Sequence, residues 1–186
     1  MSDASHLLEL GDPVLWIVTA RAGERASGLV ATFVNSASIA PECPRVIVGL
    51  AHSHHTWQLV EASNAFALHL ITARQVDWVW RFGLQSGHQT DKLAGMCWHQ
   101  SETGSPLLDE AAGWLECRVE ARMNTGDRTL YLAEVIAACS REEAVPLTVK
   151  RALELATPEQ VRELKRQRAE DAALDAEAVR RWREKR

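Results

Sequence analysis

The stretch that most restricts the fold lies at residues 114–123, where Leu115, Cys117, Val119, Ala121 and Met123 alternate with Glu116, Arg118, Glu120 and Arg122. Successive side chains of an extended strand point to opposite faces, so this period of two predicts one face on a core and one face in water. Asn124-Thr125-Gly126-Asp127 supplies a turn, and residues 128–139 resume as a second long strand-compatible run. The two runs read as a hairpin.

Further strand-length apolar runs occupy residues 13–20, 27–34, 45–51 and 65–71. The first two flank a Gly-containing turn and so form another hairpin, while Pro41-Glu42-Cys43-Pro44 marks the boundary of the third. Helices fit at residues 56–62, with Thr56 as N-cap, and at residues 74–82, where Val76, Val79 and Trp80 share one side. Short helices set among many strands indicate a mainly β chain, an antiparallel barrel more than a parallel sheet. The last thirty residues differ. Thr157-Pro158-Glu159-Gln160 combines an N-cap, a proline at the first helical position and a capping-box glutamine. The helix that follows has apolar residues only at Val161, Leu164, Leu174, Val179 and Trp182, too few for a core of its own. It lies on the body, on a sister subunit, or frays. The division expected is a body over residues 1–155 and a charged helical extension over residues 156–186.

At 186 residues, 46% apolar and 25% charged, the chain suits one globular core. A formal charge of -4 argues against a polyanion partner, nucleic acid or anionic membrane alike. No basic segment precedes an apolar run at the N-terminus, and no run of about eighteen apolar residues occurs, so a cytoplasmic location is the default. Cys43, Cys97, Cys117 and Cys139 form no C-x-x-C pair, which leaves inert thiols as the expectation. His52, His54 and His55 crowd together, yet no neighbouring carboxylate or cysteine completes a ligand set, and no metal is expected.

The segment Gly28-Leu-Val-Ala-Thr-Phe-Val-Asn-Ser-Ala-Ser-Ile-Ala-Pro41 resembles the flavin reductase-like, FMN-binding split-barrel family. Later landmarks keep the family's order: the strand at residues 45–51, a polar turn ending in Thr56, Asp91-Lys92-Leu93-Ala94-Gly95, Thr103-Gly-Ser-Pro-Leu-Leu108 and Gly126-Asp127-Arg128-Thr129-Leu130. The similarity covers residues 13–138. It implies FMN as cofactor, NADH or NADPH as electron donor, and a homodimer with the flavin near the subunit interface. In this resemblance Val30, Ala31 and Thr32 line the flavin ring, and Asn35, Ser36 and Ser38 add polar contacts. The turn His52, Ser53, His54 and Thr56 precedes a helix start, where amides and the dipole favour a phosphate. Histidine at position 54 replaces the usual serine; because a neutral imidazole holds phosphate weakly, FMN affinity is expected to fall from pH 6 to pH 8. Arg128 stands where relatives carry histidine on the nicotinamide or substrate side. It pairs with a nucleotide phosphate, or it forms a salt bridge with Asp127 or Glu134.

These readings lead to an FMN-binding oxidoreductase of the NAD(P)H-dependent flavin reductase type, with no side chain assigned as a catalytic acid, base or nucleophile, and an oxygenase or another protein as electron acceptor. Two alternatives stand beside it: an FMN-binding electron carrier or flavin-handling protein without nicotinamide turnover, and a non-flavin interaction module that docks a partner through the C-terminal helix.

Overall fold

In the computed structural model, which describes residues 11–141 and 143–186, apolar strands of the lengths read above pair side by side in one antiparallel sheet. They are β1 (Trp16–Ala22), β2 (Arg25–Ala31), β3 (Val34–Ser36), β4 (Arg45–Ala51), β5 (Ala65–Leu70), β8 (Gly113–Asn124) and β9 (Arg128–Ser140), in spatial order β2-β1-β5-β8-β9-β4-β3. A small separate ladder joins β6 (Trp98–Gln100) to β7 (Pro106–Leu108). Four helices complete the described residues: α1 (His55–Ser63), α2 (Val76–Leu84), α3 (Val149–Leu155) and α4 (Pro158–Glu184).

The sheet curls. Val18 of β1, Leu29 of β2, Val48 of β4, Phe66 of β5, Cys117 of β8 and Tyr131 of β9 share one buried cluster with Leu59 and Val60 of α1. β2 and β4, near opposite ends of the strand order, come within contact of each other. The result is a half-barrel whose concave side is filled by α1 and whose ends, β2 and β3, do not pair. A second buried cluster on the outer side joins Leu15 and Ile17 to Val79, Trp80 and Phe82 of α2, Leu147 and Ala152. β4 shows the cleanest alternation, with Val46, Val48 and Leu50 buried, as expected for a strand with one face on a core.

Several expectations change in detail. The run at residues 27–34 breaks at Thr32 and Phe33, so it supplies β2 and, after the break, the edge strand β3. His54, not Thr56, is the N-cap of α1, and Thr56 is buried inside its first turn. The helix read from residue 74 begins as a 3₁₀ turn (Ala73–Gln75), capped by Thr72, before α2. The alternation of β8 holds only part of the way: its register shifts between Glu116 and Cys117 and again between Val119 and Ala121, and Met123 ends up exposed. Glu116, placed on the water face by the pattern, is 3% exposed and accepts the Thr103 amide at 2.5 Å. Burial opposes its ionisation, yet that amide and the Ser101 and Thr103 hydroxyls hold its carboxyl below the ordinary range. Of the cysteines only Cys117 is buried, which pushes its thiol up to about 12. No helix among the described residues is long and apolar enough to cross a membrane.

Candidate functional site

β4 ends at Ala51, opposite Arg128 of β9, and the chain turns through residues 52–54 into α1. His52 donates its amide to Asp127 O at 3.0 Å and His54 donates to Ala51 O at 3.2 Å, so the corner is tied to both the β8–β9 turn and the strand end. His54 sits at the N-cap in extended backbone and offers no side-chain cap. The Trp57 amide donates to His54 O at 3.1 Å, and no side-chain cap from His54 takes up the amides before it. His52 and Trp57 are committed internally: both meet Thr129 Oγ1 at 3.0 Å, and their rings stand 4.6 Å apart. Ser53 is exposed, and its carbonyl faces His88 Nε2 at 3.4 Å.

His54 is the electrostatic centre of this corner. Burial lowers its pKa from the ordinary imidazole value, and the charges of Lys92, Arg128 and His88 lower it further, with Asp171 pulling the other way. At neutral pH it is uncharged. Lys92 has its ammonium buried, donating to Phe82 O at 2.8 Å and Gly28 O at 3.0 Å, and burial lowers its pKa to about 8. Sequence reading took Lys92 only as a landmark of the Asp91–Gly95 stretch; a buried lysine carries no periodic signal that would single it out.

The ring-lining candidates lie along the neighbouring edge. Val34, Asn35 and Ser36 of β3 pair with Val48, Ile47 and Val46 of β4, and Phe33 O accepts the Gly49 amide at 3.0 Å. Followed backward, this register brings exposed Thr32 level with the end of β4, from which the His52–His54 corner begins. Thr32, Asn35 and Ser36 thus form an exposed polar edge running toward the corner. Ser36 donates to Ser38 O at 2.9 Å, and Ser38 Oγ accepts the Ala40 amide at 3.1 Å, which fixes the loop after β3. Asn35, Ser36 and Ser38 line a groove of about 410 Å³ whose other wall is apolar, formed by Trp16, Leu115 and Val135. Val30 is half-buried toward Gly83 of α2, and Ala31 is in the core. A second recess of about 800 Å³ beyond α1 is lined by Arg21, Arg25, His55, His88 and Trp98 among others, and none of the sequence-chosen residues opens into it.

Arg128 does not point to open solvent. It donates from Nε to Asp127 at 2.5 Å and from Nη2 to Asp175 of α4 at 2.9 Å. Of the salt-bridge partners read from the sequence, Asp127 is present. Asp175 was not foreseen, because nothing in sequence spacing links a helix near the C-terminus to a turn some fifty residues earlier.

Residues 8–152 match the family model described as the flavin reductase like domain. Among curated proteins, a high molecular weight rubredoxin of Moorella thermoacetica is 30% identical over 78% of this chain and 62% of its own length. The reductase subunit of a flavin-dependent monooxygenase of Mycobacterium tuberculosis is 31% identical over 53% of this chain and 51% of its own. The match thus spans less than two thirds of either relative. Among solved structures, an NADH:FAD oxidoreductase of Streptomyces globisporus superposes with a TM-score of 0.69 at 24% identity, covering 79% of this chain and 89% of that one. Component B of a nitrilotriacetate monooxygenase from Mycobacterium thermoresistibile gives 0.68 at 24%, covering 82% and 87%. At these identities the structural likeness establishes the fold.

Proposed function

The chain belongs to the flavin reductase like family, and from that premise we propose that it holds FMN non-covalently and passes electrons from NADH or NADPH to that flavin. One observation carries the reading: the polar edge of Thr32, Asn35 and Ser36 leads into a corner that joins an uncapped helix start to the cationic side chains of Lys92 and Arg128. A phosphate is favoured where unpaired amides and a helix dipole meet positive charge, and a flavin ring needs hydrogen-bond donors along one edge. The donors present fit both ends of such a molecule.

Each group then has a task. Asn35, Ser36 and Ser38 orient the polar edge of the ring, Thr32 bridges from ring to tail, and Val30 and Ala31 keep the β2 side apolar. Ser53, His54 and Thr56 hold the phosphate end through the amides of the α1 start, and His52 fixes the turn by holding Thr129. Held by these residues, a flavin would supply the hydride-accepting redox chemistry, and the chain would contribute position and water exclusion more than acid–base groups. The apolar wall of the groove is the side on which a second copy completes the site.

Burial of His54 alters the pH dependence expected from sequence. Its pKa in the free corner lies below the ordinary imidazole value, so the protonation that would strengthen phosphate binding belongs on the acid side of pH 6.5. FMN affinity should rise through His54 as pH falls below about 6.5 and fall as pH rises toward and past about 8, where Lys92 loses its proton.

The test is titration of the purified protein with FMN, followed by visible absorbance and then by NADH and NADPH oxidation. Bound flavin with turnover supports the proposal; a protein that takes up no FMN ends it. A second reading, a flavin carrier without nicotinamide turnover, is favoured by the pairing of Arg128 with Asp127 and Asp175, which ties this side chain to the flavin-phosphate corner and its α4 cover and not to a nicotinamide nucleotide. Bound FMN that neither NADH nor NADPH reduces would select it. An oxygenase component is the acceptor class we propose for the reductase reading.

A further inference from the structure

α4 meets the body along a single stripe. Leu164 packs against the outer core, Gln167 donates to Leu84 O at 3.0 Å, and Asp171, exposed on the same face, pulls the pKa of His54 upward by its charge. Asp175 then accepts from Arg128 at 2.9 Å, and Ala178 and Trp182 abut Gly126 in the β8–β9 turn. These six positions follow one another at intervals of three or four, which is one face of a helix. The face is unusual for a docked helix because its middle is acidic. No residue of α4 is fully buried, and Leu174 points away, 61% exposed.

The acidic middle lies against the corner assigned above to the flavin phosphate. That corner gathers Arg128, Lys92, His54 and His88, and the carboxylates that face them are Asp127 from the turn and Asp171 and Asp175 from α4. Asp175 is held above the ordinary carboxylate range, first by burial and then by Asp127 and Asp171, although Arg128 opposes this. Arg128 is therefore already paired with carboxylates, and a dianion arriving there is repelled by them, while Lys92 is held only by the Gly28 and Phe82 carbonyls. A helix fastened by so little buried apolar surface opens at low cost.

We propose that α4 is an acidic strap over the phosphate corner: Asp171 and Asp175 stand in for the phosphate in the free protein, and FMN must displace them to bind. The proposal rests on the assignment of residues 52–56 to the phosphate. A ligand can shift a two-state element only by its differential affinity for the two states. Riboflavin, which lacks the phosphate, has no such leverage.

The full-length chain and the double variant Asp171→Asn/Asp175→Asn are titrated with FMN and with riboflavin by flavin fluorescence. Trypsin cleavage within residues 157–186 is followed with and without each ligand. The expected result is FMN binding about tenfold tighter in the variant, riboflavin binding unchanged, and faster cleavage of the wild-type α4 in the presence of FMN alone. FMN binding that is unchanged or weakened in the variant overturns the strap and makes α4 a neutral cover or a wall of the site. FMN and riboflavin binding with equal affinity to both proteins overturns the phosphate assignment as well. Trp182→Ala guards against a local effect of the amides: it loosens α4 at the β8–β9 turn while both carboxylates stay in place, and it too should tighten FMN.

Discussion

His69 lies on β5 with no exposed surface, its Nδ1 3.1 Å from Ile17 O and its Nε2 accepting the Leu108 amide at 3.1 Å. The second contact fixes the ring as neutral, with its proton on Nδ1, because a nitrogen that accepts carries no hydrogen. Burial accordingly lowers its pKa to about 4. The unfolded chain takes up this proton near pH 6.5 and the folded chain only near 4, so stability is complete above pH 6.5 and is lost as pH falls through that window. The loss from this group is about 3 kcal/mol. Urea unfolding of wild type and His69→Gln at pH 7, 5.5 and 4 should show their difference shrink by about that amount; a constant difference would mean another group carries the acid sensitivity. In the sequence, His69 was invisible within an apolar run, as Glu116 was within an alternating one. Both are polar groups satisfied from distant segments of the chain, His69 by Ile17 and Leu108 and Glu116 by Thr103, pairings that spacing along one strand does not encode. The polar candidates at Asn35, Ser36 and Ser38 were legible for the opposite reason, since they lie in one short segment and gather on one groove.

Among the elements, those whose signals are local came through from sequence. The capping box at Thr157 and Gln160 and the proline at the start of α4 are present as read, and so is the β8–β9 hairpin. The docking of α4 was not legible, because its contact face holds Gln167, Asp171 and Asp175 where an apolar stripe is normally sought. The turn at Gly126 shows how specific that docking is. Gly126 has φ +100°, and a Cβ there would lie 2.7 Å from Trp182 Cβ and 3.1 Å from Ala178 O. A side chain at this position is strained in the turn and also meets the α4 backbone, which a rotamer change cannot relieve. Gly126→Ala should therefore lift the end of α4 while the strands stay paired. Hydrogen exchange should rise in residues 174–184, with β5 and β8 amides as protected as in wild type. Equal exchange of α4 in the two proteins would show that the turn is not its anchor.

At the scale of the molecule, the half-barrel leaves an unfinished surface. A sheet whose end strands do not pair exposes backbone donors and acceptors, and proteins cover such edges or shorten them. β3, at one end, has only three residues. Beside it Phe33 is 42% exposed and Ile39 fully so, next to the groove walled by Trp16, Leu115 and Val135. Apolar side chains clustered beside a groove mark an interaction surface more often than chance exposure. The homodimer proposed above places a second copy there, against the same groove that carries Asn35, Ser36 and Ser38. Ile39 makes the cleanest probe because a side chain in open solvent contributes little to the fold of its own subunit. Ile39→Asp should leave the melting temperature of the dilute protein nearly unchanged, weaken self-association by at least about tenfold in sedimentation, and weaken FMN binding in step with the loss of dimer. The coupling is the informative part. If the variant dissociates yet binds FMN as tightly as wild type, each subunit holds its flavin alone; if wild type sediments as a monomer throughout the micromolar range, the exposed edge serves some other partner.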